Sequence, residues 1–110
     1  MEVKDIRKGC TETLLIGLLR DGPMHGYEMA KEIERRSRGY FKLKHSTLYP
    51  ILHKLEKRGL LRGSWQSPAE GRPRKHYSLT PAGAAYHEQN TSDWRELFAA
   101  VQTLIPEVVP

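Results

Sequence analysis

A single cysteine, Cys10, stands in the 110 residues of this chain. No disulfide can form within it, and nothing points to an oxidising compartment. Long apolar runs are missing too. The largest cluster, Leu14 to Leu19, is interrupted by Gly17 and falls well short of the roughly 18 residues a membrane span needs. The N-terminus lacks the apolar stretch of a signal peptide. A cytoplasmic protein with no membrane partner is expected. Catalytic signatures are absent as well: there is no Gly-rich phosphate loop and no nucleophile motif, and Asp5, Asp21, Glu28 and Asp93 form no paired set with a nucleophile. An enzyme is not expected. No pair among the five histidines and Cys10 has the spacing of a ligand set, so neither metal nor cofactor is expected. A lone cysteine beside apolar sequence is read as inert rather than as a redox switch.

What remains is one ordinary globular domain, 38% hydrophobic and 28% charged, long enough to bury about two thirds of its unfolded surface. The formal net charge is +5. Its placement says more than its size. Between Lys42 and Lys75 nine Lys and Arg face only Glu56 and Glu70, so this stretch carries +7 and the rest of the chain −2. A basic middle with mildly acidic flanks suggests one surface turned toward a polyanion, although a merely solvated basic face would read the same way.

The pattern along the chain predicts mainly helix. Residues 1–10 are mixed and polar and are expected to be loose or to form an arm. From Thr11, a candidate cap, to Arg20 the apolar residues surround the helix, which marks a buried one. Asp21-Gly22-Pro23 stops it. A second helix is expected from Gly26 to Ser37, with Met29, Ala30 and Ile33 on one face and an i,i+4 pair between Glu32 and Arg36. The third helix has the sharpest pattern: Leu48, Ile51, Leu52 and Leu55 form an i, i+3, i+4, i+7 stripe. Ser46, Pro50, His53 and Lys57 project from its other side, with Tyr49 and Lys54 on the flanks. Ser46 or Thr47 is expected to cap it, which would leave Pro50 in or beside the first turn. Two strands, Leu60–Gln66 and Arg74–Leu79, flank a turn-rich loop over residues 67–73. Thr80-Pro81 starts a last helix that is expected to reach Ile105, with a kink or break conceivable at Asn90-Thr91-Ser92.

The order helix-helix-helix-strand-strand-helix places a helix-turn-helix before a hairpin wing. The third helix has an apolar back and a polar, basic front, as entry into a major groove requires. Arg72, Arg74 and Lys75 at the hairpin tip suit the sugar-phosphate backbone or minor groove. The ordered segments Gly22-Pro23-Met24-His25-Gly26-Tyr27-Glu28, Ser46-Thr47-Leu48-Tyr49-Pro50-Ile51-Leu52, Leu55-Glu56-Lys57-Arg58-Gly59-Leu60-Leu61 and Gly71-Arg72-Pro73-Arg74-Lys75-His76-Tyr77-Ser78-Leu79-Thr80 resemble those of the PadR family of transcriptional regulators, in its compact subfamily. The sequence departs from that pattern at Ser46, where the family usually has Gly.

The resemblance implies a winged helix-turn-helix over residues 1–79 and a dimerisation helix over 80–110. It also implies a repressor that binds double-stranded DNA as a homodimer on a pseudo-palindromic operator. Combined with the helical arithmetic, it makes Ser46, Thr47, Tyr49, His53, Lys54, Lys57, Arg72, Arg74 and Lys75 candidate DNA contacts. Trp94, Leu97, Phe98, Val101 and Leu104 are the corresponding dimerisation candidates. Trp94 is also a candidate seat for an aromatic small-molecule effector, since a similarly placed Trp stacks on ligands in multidrug-sensing relatives; a core-filling role competes with that reading. His25 is read as fixing a turn or capping the second helix, Tyr27 as a brace for it, and His53 as either a DNA contact or a solvated side chain. Two other readings stay open: a winged-helix module that binds protein, and a non-specific nucleic-acid binder.

Overall fold

A computed structural model describes residues 3–68 and 71–108; Ala69 and Glu70 of the hairpin loop lie outside them. The first helix, α1 (Val3–Leu18), ends in a 3-10 turn over Leu19–Asp21. The expected loose arm is therefore helical from Val3 onward. Thr11 lies inside the helix, not at its start, because no breaker separates residues 3–10 from the apolar run. Thr13 Oγ1 donates to Gly9 O at 2.8 Å, tying the turn that crosses Gly9. Leu15, Ile16, Leu18 and Leu19 are buried, as a helix apolar all round should be.

A two-residue strand β1 (Met24–His25) leads into α2 (Gly26–Arg36), and α3 spans His45–Lys57. The hairpin strands are β2 (Leu61–Gln66) and β3 (Arg74–Leu79), followed by α4 (Pro81–Leu104). The sheet is antiparallel in the order β1-β3-β2. It has one strand more than the hairpin pattern implied, since Met24 and His25 pair with Tyr77 and His76. Two residues are too few to leave a periodicity in sequence.

The core is one cluster in which α1, α2 and α3 meet the base of the hairpin, including Met29, Ile33, Leu48, Leu52, Leu55, Leu61 and Tyr77. Mostly helical, with this small sheet projecting as a wing, the architecture is a winged helix. The last helix starts as its sequence predicts: Thr80 Oγ1 accepts from Gly83 N–H at 3.0 Å, with Pro81 in the first helical position. The helix runs unbroken through Asn90 to Leu104. Asn90 Nδ2 donates to Thr13 Oγ1 at 2.6 Å, which ties α4 to α1. At about 1.5 Å per residue this helix is roughly 36 Å long and contributes to a molecule 54 Å in its longest dimension.

Candidate nucleic-acid interface

The apolar stripe of α3 fixes which way its other side faces. Leu48, Leu52 and Leu55 have no exposed surface, so Ser46, Thr47, Tyr49, Pro50, His53, Lys54 and Lys57 all lie on the exposed side. The start of the helix differs from expectation. Neither Ser46 nor Thr47 caps it; the N-cap is Lys44, whose side chain makes no capping bond. Lys44 O already accepts from Thr47 N–H at 3.0 Å and Leu48 N–H at 2.9 Å, so the chain turns helical at His45. Pro50 thus falls in the second turn. There its missing N–H removes the bond to the Ser46 carbonyl, on a side where water can take that bond instead.

Tyr49 leans over the first residue of α2. A Cβ built on Gly26 would meet Tyr49 Cε1 at 2.8 Å and its hydroxyl oxygen at 3.1 Å. Only glycine leaves the ring that seat. His45 packs edge-on between Tyr27 and Tyr49, with ring centroids 5.6 and 5.8 Å away, and Lys31 Nζ lies 4.6 Å from the Tyr27 ring centre. Tyr27 therefore braces α2 against α3 from the surface.

The wing has two chemically different faces. Strand alternation turns Trp65, Lys75 and Tyr77 toward α3 and Arg74 and His76 to the opposite side. On the inner side Lys75 Nζ donates to Glu56 Oε1 of α3 at 2.7 Å, and this bond raises the lysine's pKa. Its charge is thus locally offset. On the outer side Arg74 Nη1 lies 3.2 Å from His25 Nε2, and His25 stacks edge-on against His76 at 5.6 Å. His25 is the N-cap of α2. Its Nδ1 accepts from Glu28 N–H at 3.3 Å, and the Glu28 carboxylate accepts from His25 N–H at 3.4 Å, a reciprocal capping box. Burial lowers the His25 pKa, Arg74 and His76 push the same way, and Glu28 opposes them.

Of the candidate DNA contacts, Arg72 and Arg74 are exposed at the wing, and Thr47, Tyr49, His53 and Lys57 are exposed on α3. Lys54 is turned toward α1, its Nζ 3.2 Å from Glu12 Oε1, a carboxylate it shares with Arg58. Sequence reasoning missed His45 and Trp65 beside this surface. Trp65 is 67% exposed, and its signal was there to read: an inward-facing strand position occupied by an aromatic beyond the end of the core.

At the other end of the molecule Trp94, Leu97 and Val101 are partly buried, whereas Phe98 and Leu104 are 51% and 82% exposed. Trp94 and Phe98 rings lie 5.8 Å apart. Among the described residues no group of His, Cys, Asp and Glu is placed to hold a metal, and no helix is long and apolar enough to cross a membrane.

Residues 15–89 match the Transcriptional regulator PadR-like family. The chain is 32% identical to a transcriptional regulator of Mycobacterium tuberculosis, over 76% of this chain and 74% of that one. A solved transcriptional regulator from Clostridium thermocellum superposes with a TM-score of 0.82 at 27% identity, covering 96% of this chain and 99% of that one. Bacillus subtilis PadR, solved in complex with operator DNA, superposes with a TM-score of 0.67 at 26% identity, over 73% of this chain and 45% of that one.

Proposed function

This chain belongs to the PadR-like family of transcriptional regulators, and from that premise we propose that it is a cytoplasmic repressor that binds a pseudo-palindromic double-stranded DNA operator as a homodimer. The carrying observation is the pairing of an exposed polar side of α3 with a basic wing beside it, over a back of fully buried leucines. The operator complex solved for Bacillus subtilis PadR, whose matched part has this fold, supports the reading. Residues 1–79 carry the DNA contacts and 80–110 the dimer contacts in this proposal.

Within it, Ser46, Thr47, Tyr49, His53 and Lys57 touch base edges, and Arg72 and Arg74 touch phosphates. Lys54 and Lys75 must leave carboxylate partners to do the same, so their contributions are smaller. The two-fold contact is the α4 stripe of Trp94, Leu97, Phe98, Val101 and Leu104. Exposed apolar side chains at helical period on a projecting helix support a second copy as their cover. An aromatic effector would sit between the two copies of Trp94, beside Phe98, and release DNA by favouring a dimer whose recognition helices no longer lie about 34 Å apart.

Sequencing the DNA that co-purifies with the protein supplies the operator, and binding is then measured against salt. Arg72→Ala is expected to weaken all duplexes alike and to reduce the salt slope by about one, while Thr47→Ala shifts preference between sequences. Equal affinity for every duplex would make the protein a non-specific binder, and no binding to any duplex would make it a protein-interaction module. Replacing Leu97 and Val101 with Lys should give monomers or insoluble protein; a wild-type monomer at micromolar concentration by light scattering ends the dimer proposal. Planar aromatic compounds should quench Trp94 and weaken DNA binding, and a broad set that does neither leaves Trp94 as core filler.

A further inference from the structure

Between the start of α3, the start of α2 and the inner face of the wing runs a cleft of about 500 Å³. Tyr27, Tyr49, Trp65 and Pro73 wall it, and His25, Arg72, Arg74 and Lys75 border it, Arg74 with its guanidinium turned to His25 and Lys75 with its ammonium held on Glu56. Trp65 is its largest apolar surface. Leu61, Gly63 and Trp65 share one side of β2, opposite Leu79, Tyr77 and Lys75 of β3. Leu61 and Tyr77 on that side are buried in the core, but Trp65 continues the row past the end of the core and stays 67% exposed. An indole held on a paired strand, at little conformational cost, beside the exposed Arg72, fits an occupant that alternates apolar and anionic groups. A nucleic-acid backbone is such a chain: its phosphates would meet Arg72, and its sugars present flat, largely apolar faces.

We propose that Trp65 packs against deoxyribose of the DNA strand that passes between the recognition helix and the wing, contributing affinity without sequence preference and without counterion release. The inference rests on the DNA-binding reading above and adds a contact that neither the motifs nor the basic residues supply. Apolar and stacking contacts of this kind displace no condensed cations, so their loss leaves the salt slope alone. That separates Trp65 from the arginines beside it.

The test uses the full chain and a mixed-sequence duplex at low salt, since a sugar contact requires no operator. Trp65→Ala is expected to bind about ten-fold more weakly with an unchanged salt slope, while Trp65→Phe retains most of the affinity. With the emission difference between wild type and Trp65→Phe taken as that of Trp65, adding duplex should shift this emission to the blue and protect it from acrylamide, a readout of burial rather than of affinity. The proposal is overturned if Trp65→Ala binds like wild type while Arg72→Ala binds more weakly, or if Trp65 stays open to acrylamide on saturated DNA; the DNA-binding reading survives both results. Failure of the wild-type chain to bind any duplex overturns that reading and the Trp65 contact with it.

Discussion

Gly83 sits at the third position of α4, where helix propensity and packing give opposite answers for a change to alanine. In a helix, alanine is favoured over glycine by about 1 kcal/mol, so propensity alone predicts a more stable protein. Packing predicts the reverse. A Cβ at Gly83 would lie 2.0 Å from the Leu60 carbonyl oxygen, 3.0 Å from its carbon and 3.2 Å from Leu79 Cδ2. The nearest obstacle is backbone, which cannot rotate aside, so the first turn of α4 must retreat by at least about 1 Å to reach a tolerable contact. That retreat pulls on three bonds at once: Thr80 N–H to Leu60 O at 3.2 Å, Thr80 Oγ1 to Gly59 O at 2.6 Å, and Gly83 N–H to Thr80 Oγ1 at 3.0 Å. Overpacking costs about 1–3 kcal/mol, and a weakened N-cap about 1 more. Against the propensity gain, the net is a loss of about 2 kcal/mol. For a domain of this size that corresponds to a fall in Tm of roughly 10 °C. Thermal unfolding followed by circular dichroism, at one fixed protein concentration because the proposed dimerisation would shift apparent stability, measures it. A Gly83→Ala variant as stable as wild type, or more stable, would refute the close seating of α4 on the hairpin base.

Two further outcomes follow from the interface itself. In Gly26→Ala the new methyl meets the movable end of the Tyr49 ring at 2.8 Å, so stability should change by less than about 1 kcal/mol, while Tyr49 is displaced and DNA preference shifts; unchanged binding by fluorescence anisotropy would count against the Tyr49 assignment. His25 caps α2 through an unprotonated Nδ1, and its pKa is depressed below 6.5. The native state therefore binds fewer protons than the unfolded chain in that window, and this part of the stability is complete above about 6.5 and declines as pH falls toward the folded value. Melting temperatures between pH 7 and 5 should fall more steeply for wild type than for His25→Asn, which can cap but does not titrate; parallel slopes would exclude the cap as the source. Glu32, which Arg35 and Arg36 hold near a pKa of about 2, titrates below this range.

The parts of the fold that could be read from sequence are those set by local chemistry. The α3 stripe, the Thr80-Pro81 start and the hairpin limits depend on residues within one or two turns of each other, and the structure places them within a residue of expectation. The capping role of His25 is local as well. What escaped depends on partners far along the chain. Strand β1 exists because Met24 and His25 meet β3 some fifty residues later. Lys54 is drawn toward Glu12 across 42 positions, which no helical wheel of α3 could reveal. The length of α1 escaped for another reason: polar composition was read as looseness, although residues 3–10 hold no proline and Gly9 is the poorest helix former among them.

Arg74 and Lys75 show how far a charge cluster can mislead. As neighbours in sequence they read as one basic tip, yet in a paired strand successive side chains point to opposite faces. Alternation sends Lys75 inward to Glu56 and Arg74 outward to His25. The formal +7 of residues 42–75 already counts Glu56, the partner of Lys75, and it still overstates what a polyanion meets, because Lys54 and Arg58 share the carboxylate of Glu12 from outside that stretch. Lys57 at the end of α3 and Arg72 and Arg74 on the wing are exposed, and in the proposed complex they carry more of the attraction than the count suggests. The same alternation carries Trp65 to the inner side, next to Tyr49. In the proposed complex the binding surface is thus defined less by the amount of positive charge than by which strand positions face α3, and there an aromatic stands where a tally of basic residues finds nothing.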